Sequence, residues 1–255
     1  MNFGFSWKKR KAGEMGEVFN LTQEGSSISK GDFILVDLTG RVKNGEVFET
    51  TSKGVAEKEG IYDEGQTYEP KLVIVGEGWI LPKLDEVLEK MRVGETRTVE
   101  IENAFGEWKR ENVKSLPLKE FLKSNIEPKP GMRVRIGNRL ATVKRVGGGR
   151  VRVDLNHPYA GKTVVYEVTI KEKITDKQEK IKALIKRRMP DIPLEKTKIT
   201  TSNEERIIIE LPKEVLFADG VQFVKYGIAN DLKRYLNFEE IIFVEKYGEE
   251  LLGRS

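Results

Sequence analysis

Residues 154–170 read DLNHPYAGKTVVYEVTI, a tight loop followed by an alternating strand. The apolar residues of the strand recur at every second position, which places them on one face. They are Val164, Tyr166, Val168 and Ile170. Because a single strand is not stable alone, this one must complete a sheet whose other strands lie far upstream. We therefore interpret the intervening chain as an insertion into one domain.

The upstream part of this sheet begins at Phe33. Alternating apolar positions predict a strand from there, and Asn44-Gly45 predicts a hairpin that returns through Val47. The continuous apolar run at 72–75 predicts a central strand. A further strand is predicted for Thr96–Ile101, with alternate side chains pointing inward.

A helix is predicted between the last two of these strands. Its apolar residues follow helical spacing, and Pro82 suits the first turn. They are Ile80, Leu81, Leu84, Val87, Leu88 and Met91. The first domain is thus expected to be an antiparallel sheet with one amphipathic helix across it.

The inserted segment, residues 107–153, has a different character. Its apolar spacing predicts one short helix that contains Leu116, Leu118, Phe121 and Leu122. Glycine-rich turns then separate short strands at 132–136, 140–146 and 151–155. We call residues 107–153 the insert and expect a small β-rich module whose two ends lie close together, because it interrupts another domain.

A third unit follows Lys173. Thr175 and Gln178 predict a capping box at the start of a helix, and the later pattern gives the order α-β-β-α-β. The predicted fold class is α+β. The predicted domains are a flexible N-terminal extension (1–29), a discontinuous first domain (30–106 and 154–173), the insert (107–153) and the C-terminal unit (174–255).

The composition of the chain excludes several kinds of chemistry and several kinds of partner. Cysteine is absent and there is one histidine, which excludes disulfides, thiolate chemistry and a multi-histidine metal site. The 45 basic and 41 acidic residues give a net charge of only +4 with interspersed signs, so nucleic acid is not expected as a partner. A basic cluster at 8–11 leaves a weaker hypothesis of ribosome or nucleic-acid association. No apolar run suits a membrane span and no signal peptide is evident, so we expect a cytoplasmic protein.

Four segments together resemble the FKBP family of peptidyl-prolyl cis-trans isomerases, in particular its SlyD-like branch and its long archaeal members. They are GDFILVDLTGRVKNGEVFETT (31–51), GEGWILPKLDEVLEKMRVGE (76–95), AFGE (104–107) and NHPYAGKTVVYEV (156–168). The resemblance implies an FKBP-like half-barrel, an insert-in-flap module that grips unfolded chains, and no cofactor or metal.

The resemblance also implies an apolar isomerase pocket with an acidic residue at its edge. Carried over by position, the catalytic candidates are Phe48, Glu49, Ile80, Leu81, Phe105 and Tyr166. Leu38 and Leu84 are candidate substrate-binding residues of the same pocket. Leu116, Leu118, Phe121 and Leu122 are the candidates in the insert, with packing on the insert's own strands as the alternative. Without the motif context, each apolar candidate would be read as an ordinary core residue.

Two hypotheses from different classes follow. The first is a peptidyl-prolyl isomerase with chaperone activity, which acts on unfolded, proline-containing clients held by the insert. The second is a holdase with a weak or vestigial pocket, because Leu38, Leu84 and Phe105 stand where the family often has other side chains. The aromatic residues of the C-terminal unit predict either a homodimer or additional client surface. They are Phe217, Phe223, Tyr226, Tyr235 and Phe238. A structural role in the loop is expected for His157.

Overall fold

The structure is a computed structural model that describes residues 25–202 and 205–248. These residues form an α+β architecture with three separate sheets. The helices are α1 (Lys53–Lys58), α2 (Pro82–Leu88), α3 (Leu118–Lys123), α4 (Lys177–Arg188) and α5 (Val221–Leu236). The strands are β1 (Phe33–Val42), β2 (Val47–Thr50), β3 (Lys71–Ile74), β4 (Thr96–Ile101), β5 (Val113–Pro117), β6 (Arg133–Ile136), β7 (Arg139–Gly147), β8 (Arg150–Asp154), β9 (Val164–Ile174), β10 (Lys198–Thr201), β11 (Arg206–Glu210) and β12 (Glu240–Val244).

The first sheet has the order β2-β1-β9-β4, with β3 paired to β1. The late strand β9 lies in its middle: Tyr166 is paired with Gly40 of β1 on one side and with Val99 of β4 on the other. All pairings in this sheet are antiparallel. The prediction that a downstream strand completes an upstream sheet is therefore confirmed.

One face of this sheet packs under helix α2. The alternating residues of β9 that the sequence placed inward are all buried, as are Leu84 and Leu88 of the helix. Burial of each such side chain contributes about 1.5–3 kcal/mol relative to exposure. Pro82 begins the helix, where its missing N–H costs nothing. The segment before α2 packs against the same core through Ile80 and Leu81.

The prediction that residues 72–75 form a central strand is wrong. Strand β3 pairs with β1 alone among the described residues, which makes it an edge strand. Its run of apolar residues has another cause, because both of its faces are covered. Val73 packs in the core of the first domain, whereas Leu72 and Ile74 pack in a second core that is shared with the C-terminal unit.

The insert contains the second sheet, with the strand order β5-β8-β7-β6. Helix α3 covers one face of it through Phe121, which packs against Val143, Val151 and Val153. The sequence placed Leu116 in the helix, and this is wrong. Leu116 pairs with Val151 inside strand β5, because the extended backbone of Pro117 delays the helix until Leu118.

The C-terminal unit contains the third sheet, β10-β11-β12, in which β11 and β12 are parallel. Helices α4 and α5 complete the predicted order α-β-β-α-β. The N-cap lies one residue later than predicted: the side chain of Asp176, not Thr175, accepts the N–H of Glu179 at 2.9 Å. A carboxylate at this position also interacts favourably with the positive end of the helix dipole.

The boundary of the predicted flexible extension also needs correction. Residues 25–29 pack onto the first domain, where Ser27 forms an isolated bridge with Arg92 and the side chain of Ile28 is buried in the core. The basic cluster at 8–11 lies outside the described residues. No helix within the described ranges is long and apolar enough to cross a membrane.

Candidate functional site

An aromatic cluster surrounds Phe48 on strand β2. Its ring meets Phe105 and Tyr166 edge to face, with centroids 5.8 Å apart in both cases. The ring of Tyr159 lies closer, at 4.5 Å with an interplanar angle of 31°. Aromatic pairs in such geometries add about 0.5–1.5 kcal/mol beyond the area they bury.

The segment before helix α2 contributes two aliphatic side chains to the core against which Phe48 also packs. Ile80 and Leu81 are partly buried and pack against the core that contains Tyr166. We use the name Phe48 cluster for Phe48, Ile80, Leu81, Phe105, Tyr159 and Tyr166. Five of these six, all but Tyr159, were predicted from separate parts of the chain. Four of the five pack against the core that contains the fifth, Tyr166, so the fold brings the distant motifs onto one core.

Two further candidates lie beneath this surface. Leu38 and Leu84 belong to the same core and are buried, as is the ring of Tyr166. They support the Phe48 cluster from below, and their side chains are not available for direct contact with a ligand. Their aliphatic character therefore affects how firmly the cluster is packed.

The predicted acidic residue is held by the cluster. Tyr166 donates its phenolic hydroxyl to Oε1 of Glu49 in a short hydrogen bond, and Lys71 Nζ lies 3.4 Å from Oε2. Burial, and then the bond to Glu49, raise the pKa of Tyr166 well above its usual value. Tyr166 thus stays protonated and fixes one carboxylate oxygen of Glu49 at the edge of the sheet.

The close packing around Tyr166 requires a glycine in the neighbouring strand. A β-carbon at Gly40 would lie 2.7 Å from Cε1 of Tyr166 and 3.0 Å from Cε2 of Phe48. Such distances are shorter than van der Waals contact, so both rings lie directly on the backbone of β1.

Sequence reasoning missed Tyr159 as a member of the cluster and gave His157 only a loop role. Nδ1 of His157 accepts the N–H of Tyr159 at 3.3 Å, which agrees with that role. The His157 ring also stacks on Phe105, with centroids 4.3 Å apart and an angle of 16°. Partial burial, and then the positive charge of Arg133, lower the pKa of His157. Its neutral ring therefore extends the aromatic surface toward the insert.

Asp85 is a second residue that sequence reasoning missed. Its carboxylate accepts the N–H of Gly76 at 2.9 Å and the N–H of Gly78 at 3.2 Å. Both glycines have positive φ, at +80° and +67°, so this loop has a defined shape. Because the loop leads directly into Ile80, Asp85 positions the aliphatic side of the cluster. The sequence signal for this role was the pair of closely spaced glycines, Gly76 and Gly78, shortly before the helix.

The four candidates in the insert do not form one exposed surface. Phe121 is buried in the core of the insert, and Leu116 and Leu118 pack against that core. Leu122 is the exception, since 52% of its surface is exposed. Three other large apolar side chains of the insert are also exposed, namely Trp108, Met132 and Leu140.

A buried polar network joins the two chain segments that connect the insert to the first domain. Asn156 Oδ1 accepts the N–H of Lys109 at 3.0 Å and Nδ2 of Asn112 at 2.9 Å, while its Nδ2 donates to Asp154 Oδ1 at 2.8 Å. The other oxygen of Asp154 accepts Nε1 of Trp108 at 3.1 Å. Partial burial opposes ionisation of Asp154, but these hydrogen bonds lower its pKa overall. The network fixes where the insert leaves the sheet.

The aromatic residues of the C-terminal unit fall into two groups. Phe238 is buried and Tyr235 packs against Phe33 of the first domain, so these two are structural. Phe217, Phe223 and Tyr226 are exposed. The indole of Trp79 faces this unit: Cζ of Arg187 in helix α4 lies 3.8 Å from the centroid of its ring.

Two family models match the chain. The model described as "FKBP26_C-terminal" matches residues 177–248, and the model described as "FKBP26, IF domain" matches residues 114–159. These ranges contain the third and second sheets of the structure.

Three named proteins are similar to this chain. A "Short-type peptidyl-prolyl cis-trans isomerase" of Methanocaldococcus jannaschii is 31% identical over 147 residues, which cover 57% of this chain and 93% of that protein. A "Probable FKBP-type 16 kDa peptidyl-prolyl cis-trans isomerase" of Pseudomonas fluorescens is 34% identical over 40% of this chain and 71% of its own length. The "FKBP-type peptidyl-prolyl cis-trans isomerase SlyD" of Helicobacter pylori is 30% identical over 43% of this chain and 62% of that protein.

Proposed function

We propose that this chain, which belongs to the family of FKBP-type peptidyl-prolyl cis-trans isomerases, twists the X-Pro bonds of polypeptide clients at the Phe48 cluster. Two observations support this proposal: the ring of Phe48 contacts those of Phe105 and Tyr159, and Phe48, Phe105, Ile80 and Leu81 all pack, partly buried, against the same core. A prolyl ring is apolar and flat enough to pack against these side chains.

The chemistry needs no nucleophile, metal or cofactor. The barrier to rotation about a peptide bond is about 18–20 kcal/mol, because the planar amide loses its resonance on twisting. The twisted amide is less dipolar than the planar one, so removal of water raises the energy of the ground state more than that of the transition state. Phe48 and its neighbours supply the surface that excludes water.

The polar residues of the site act by positioning. The hydrogen bond from Tyr166 to Glu49 holds the carboxylate at the border of the apolar surface. There it is available to a backbone N–H of the client or of the protein. Asp85 restrains the loop that carries Ile80, which keeps both sides of the cluster in place before a client arrives.

The test is a protease-free isomerisation assay on a tetrapeptide that contains Leu-Pro. Phe48→Ala and Tyr166→Phe are expected to reduce turnover while the fold is retained, and Phe223→Ala serves as the control, because that ring is 83% exposed in the C-terminal unit. Unchanged turnover in both folded cluster variants would refute the site assignment.

We further propose that the insert holds the client near the cluster. The exposed leucines Leu122 and Leu140, together with Met132, support this proposal. A holdase with a vestigial pocket is the second candidate function, because Leu38, Leu84 and Phe105 stand where the family often has other side chains. Suppression of client aggregation without prolyl turnover would select the holdase.

The remaining proposals concern assembly and location. The exposed rings of Phe217, Phe223 and Tyr226 support either self-association through the C-terminal unit or additional client surface. A monomer at high protein concentration in light scattering would eliminate self-association. The cytoplasm is proposed as the location of the protein.

A further inference from the structure

The insert is strongly basic, although the net charge of the whole chain is small. Residues 107–153 contain thirteen lysine and arginine residues against four glutamates, whereas the complete chain has a net charge of only +4. The positive charge of the protein is thus concentrated in the module beside the proposed site.

The strands of the insert gather much of this charge on one face. Strand β6 reads RVRI and β8 reads RVRVD, so valines and arginines alternate. Val134, Val151 and Val153 are buried under helix α3, which directs the alternate side chains to the opposite, open face. We call this the arginine face; its arginines are Arg133, Arg135, Arg145, Arg150 and Arg152.

The register places like charges side by side. Arg145 of β7 is the direct partner of Arg152 in β8. Like charges directly opposite each other destabilise a sheet, so this pair costs folding free energy that an external anion would recover. The guanidinium group of Arg150 has a partner within the insert, because its Nε donates a hydrogen bond to Oγ of Ser115 at 2.8 Å.

The arginine face has little internal compensation. In the part of the chain that the structure describes, no carboxylate lies within 4.0 Å of the guanidinium groups of Arg133, Arg135, Arg145 or Arg152. Asp154 lies on the same face but already accepts hydrogen bonds from Trp108 and Asn156. The positive potential of the face is therefore left for a partner.

The arginine face continues into the candidate site. The charge of Arg133 acts on both His157 and Tyr159. Tyr159 is part of the Phe48 cluster, and His157 stacks on Phe105 of that cluster. An extended chain that packs a proline on the cluster would thus pass Arg133 within a few residues.

We propose that the arginine face selects polypeptide clients in which acidic residues flank the proline. This inference rests on the proposed isomerase function and names its preferred substrate class. Guanidinium groups bind carboxylates in a bidentate geometry, and a basic surface beside a binding site raises the rate at which anionic ligands arrive.

Nucleic acid fits the face less well. Single-stranded RNA and DNA are usually bound by several aromatic rings on which bases stack. Residues 107–153 contain only two aromatic residues, and of these Phe121 is buried. The other, Trp108, is about half exposed and offers one stacking position, where single-stranded nucleic acid is usually bound by several. Continuity with a surface suited to proline also favours a peptide.

The experiment compares two peptides with the same Leu-Pro-Phe centre, one flanked by glutamates and one by lysines. With the full chain at low salt, kcat/KM for the acidic peptide is expected to exceed that for the basic peptide by at least about tenfold, in line with electrostatic steering. The ratio should approach one at 1 M salt, where charges are screened beyond about 3 Å.

Charge reversal provides the matched variants. Arg133→Glu/Arg135→Glu is expected to reverse the preference, and the single variant Arg145→Gln to weaken it. Lys119→Glu/Lys123→Glu changes the charge equally, but on exposed helix α3 at the other side of the insert, and should preserve most of the preference. Circular dichroism checks that each variant is folded.

The outcomes separate this inference from the proposed function. Equal turnover of both peptides at low salt would overturn the inference and leave the isomerase proposal standing. No acceleration of either peptide would instead contradict the isomerase proposal. Tight, salt-sensitive binding of an oligouridylate without discrimination between the peptides would assign the arginine face to nucleic acid and overturn the inference.

Discussion

The indole Nε1 of Trp79 donates a hydrogen bond to the hydroxyl of Tyr235, 3.1 Å away and 156 positions later in the chain. Trp79 immediately precedes Ile80, so this bond ties the segment that carries the aliphatic side of the candidate site to helix α5. An ion pair between Glu77 and Arg234, 2.6 Å long, accompanies it. The C-terminal unit thus helps to hold the segment that carries Ile80 and Leu81 in place.

Replacement of Tyr235 by phenylalanine should test this support. The variant keeps the ring contact with Trp79 but removes the hydrogen bond, so we expect a loss of about 1 kcal/mol in the free energy of unfolding. Denaturant titration followed by tryptophan fluorescence measures it. Tyr226→Phe is the control, because that hydroxyl belongs to a side chain that is 71% exposed. Equal stability of Tyr235→Phe and the wild type would show that the bond is not formed in solution.

Gly40 should not tolerate a methyl group. In Gly40→Ala, the new β-carbon would collide with the rings of Tyr166 and Phe48. We expect a destabilisation of about 1–3 kcal/mol, as for other overpacked cores, together with reduced prolyl turnover. Thermal unfolding and the peptide assay measure the two effects. Gly54→Ala, where a β-carbon meets no atom within 4 Å in helix α1, should be neutral or slightly stabilising. Similar behaviour of the two variants would contradict the packing described for Tyr166.

Tyr166 should make stability depend on alkaline pH. Its pKa is raised in the fold, so the unfolded chain loses this proton at a lower pH than the folded chain does. The contribution is therefore complete below about pH 10, the usual tyrosine value, and is lost as the pH rises above it. Urea unfolding at pH 8 and pH 11 should show a larger loss for the wild type than for Tyr166→Phe. Parallel losses in the two proteins would argue against the buried bond to Glu49.

The exposed leucines of the insert should matter for client holding but not for small peptides. We expect Leu122→Ser/Leu140→Ser to raise severalfold the concentration needed to suppress aggregation of an unfolded client, because exposed apolar area is lost. Tetrapeptide turnover should be unchanged. Light scattering of the aggregating client measures the effect, with Tyr62→Ser in the first domain as the control. Full suppression by the leucine variant would remove the support for holding by the insert.

Much of the fold follows from local patterns in the sequence. The alternation in residues 164–170 identified the strand at the middle of the first sheet, because apolar residues recur at every second position when one face of a sheet is buried. The same reasoning misplaced β3. Leu72 and Ile74 are buried by a distant unit, and nothing local distinguishes that from burial inside one sheet.

Short elements were the least predictable. Helix α1 has only six residues, and its single buried side chain, Ala56, gives no apolar period from which a helix could be predicted. In the insert, Leu116 and Phe121 have spacing that suits either a helix or a strand followed by a helix. The pairing of β5 with β8, a strand much later in the chain, decides between them.

The candidate site was predictable in part, and for a different reason. No local period distinguishes Phe48 or Tyr166 from ordinary core residues, so their assignment depended on the resemblance to a family. Tyr159 was missed because its partner Phe105 lies 54 positions earlier, and only the folded loops bring the two rings to 5.8 Å. The arginine face was hidden by whole-chain charge, since the remaining residues offset the insert.

Exchange spectroscopy by NMR tests the central claim most directly. It measures the cis-trans interconversion of a Leu-Pro tetrapeptide, which takes tens of seconds or longer without a catalyst. With a catalytic amount of the wild type or of Phe223→Ala, we predict exchange cross-peaks on the timescale of a second, and with folded Phe48→Ala we predict that they disappear. Cross-peaks of equal intensity with wild type and Phe48→Ala would contradict the assignment of prolyl isomerisation to the Phe48 cluster.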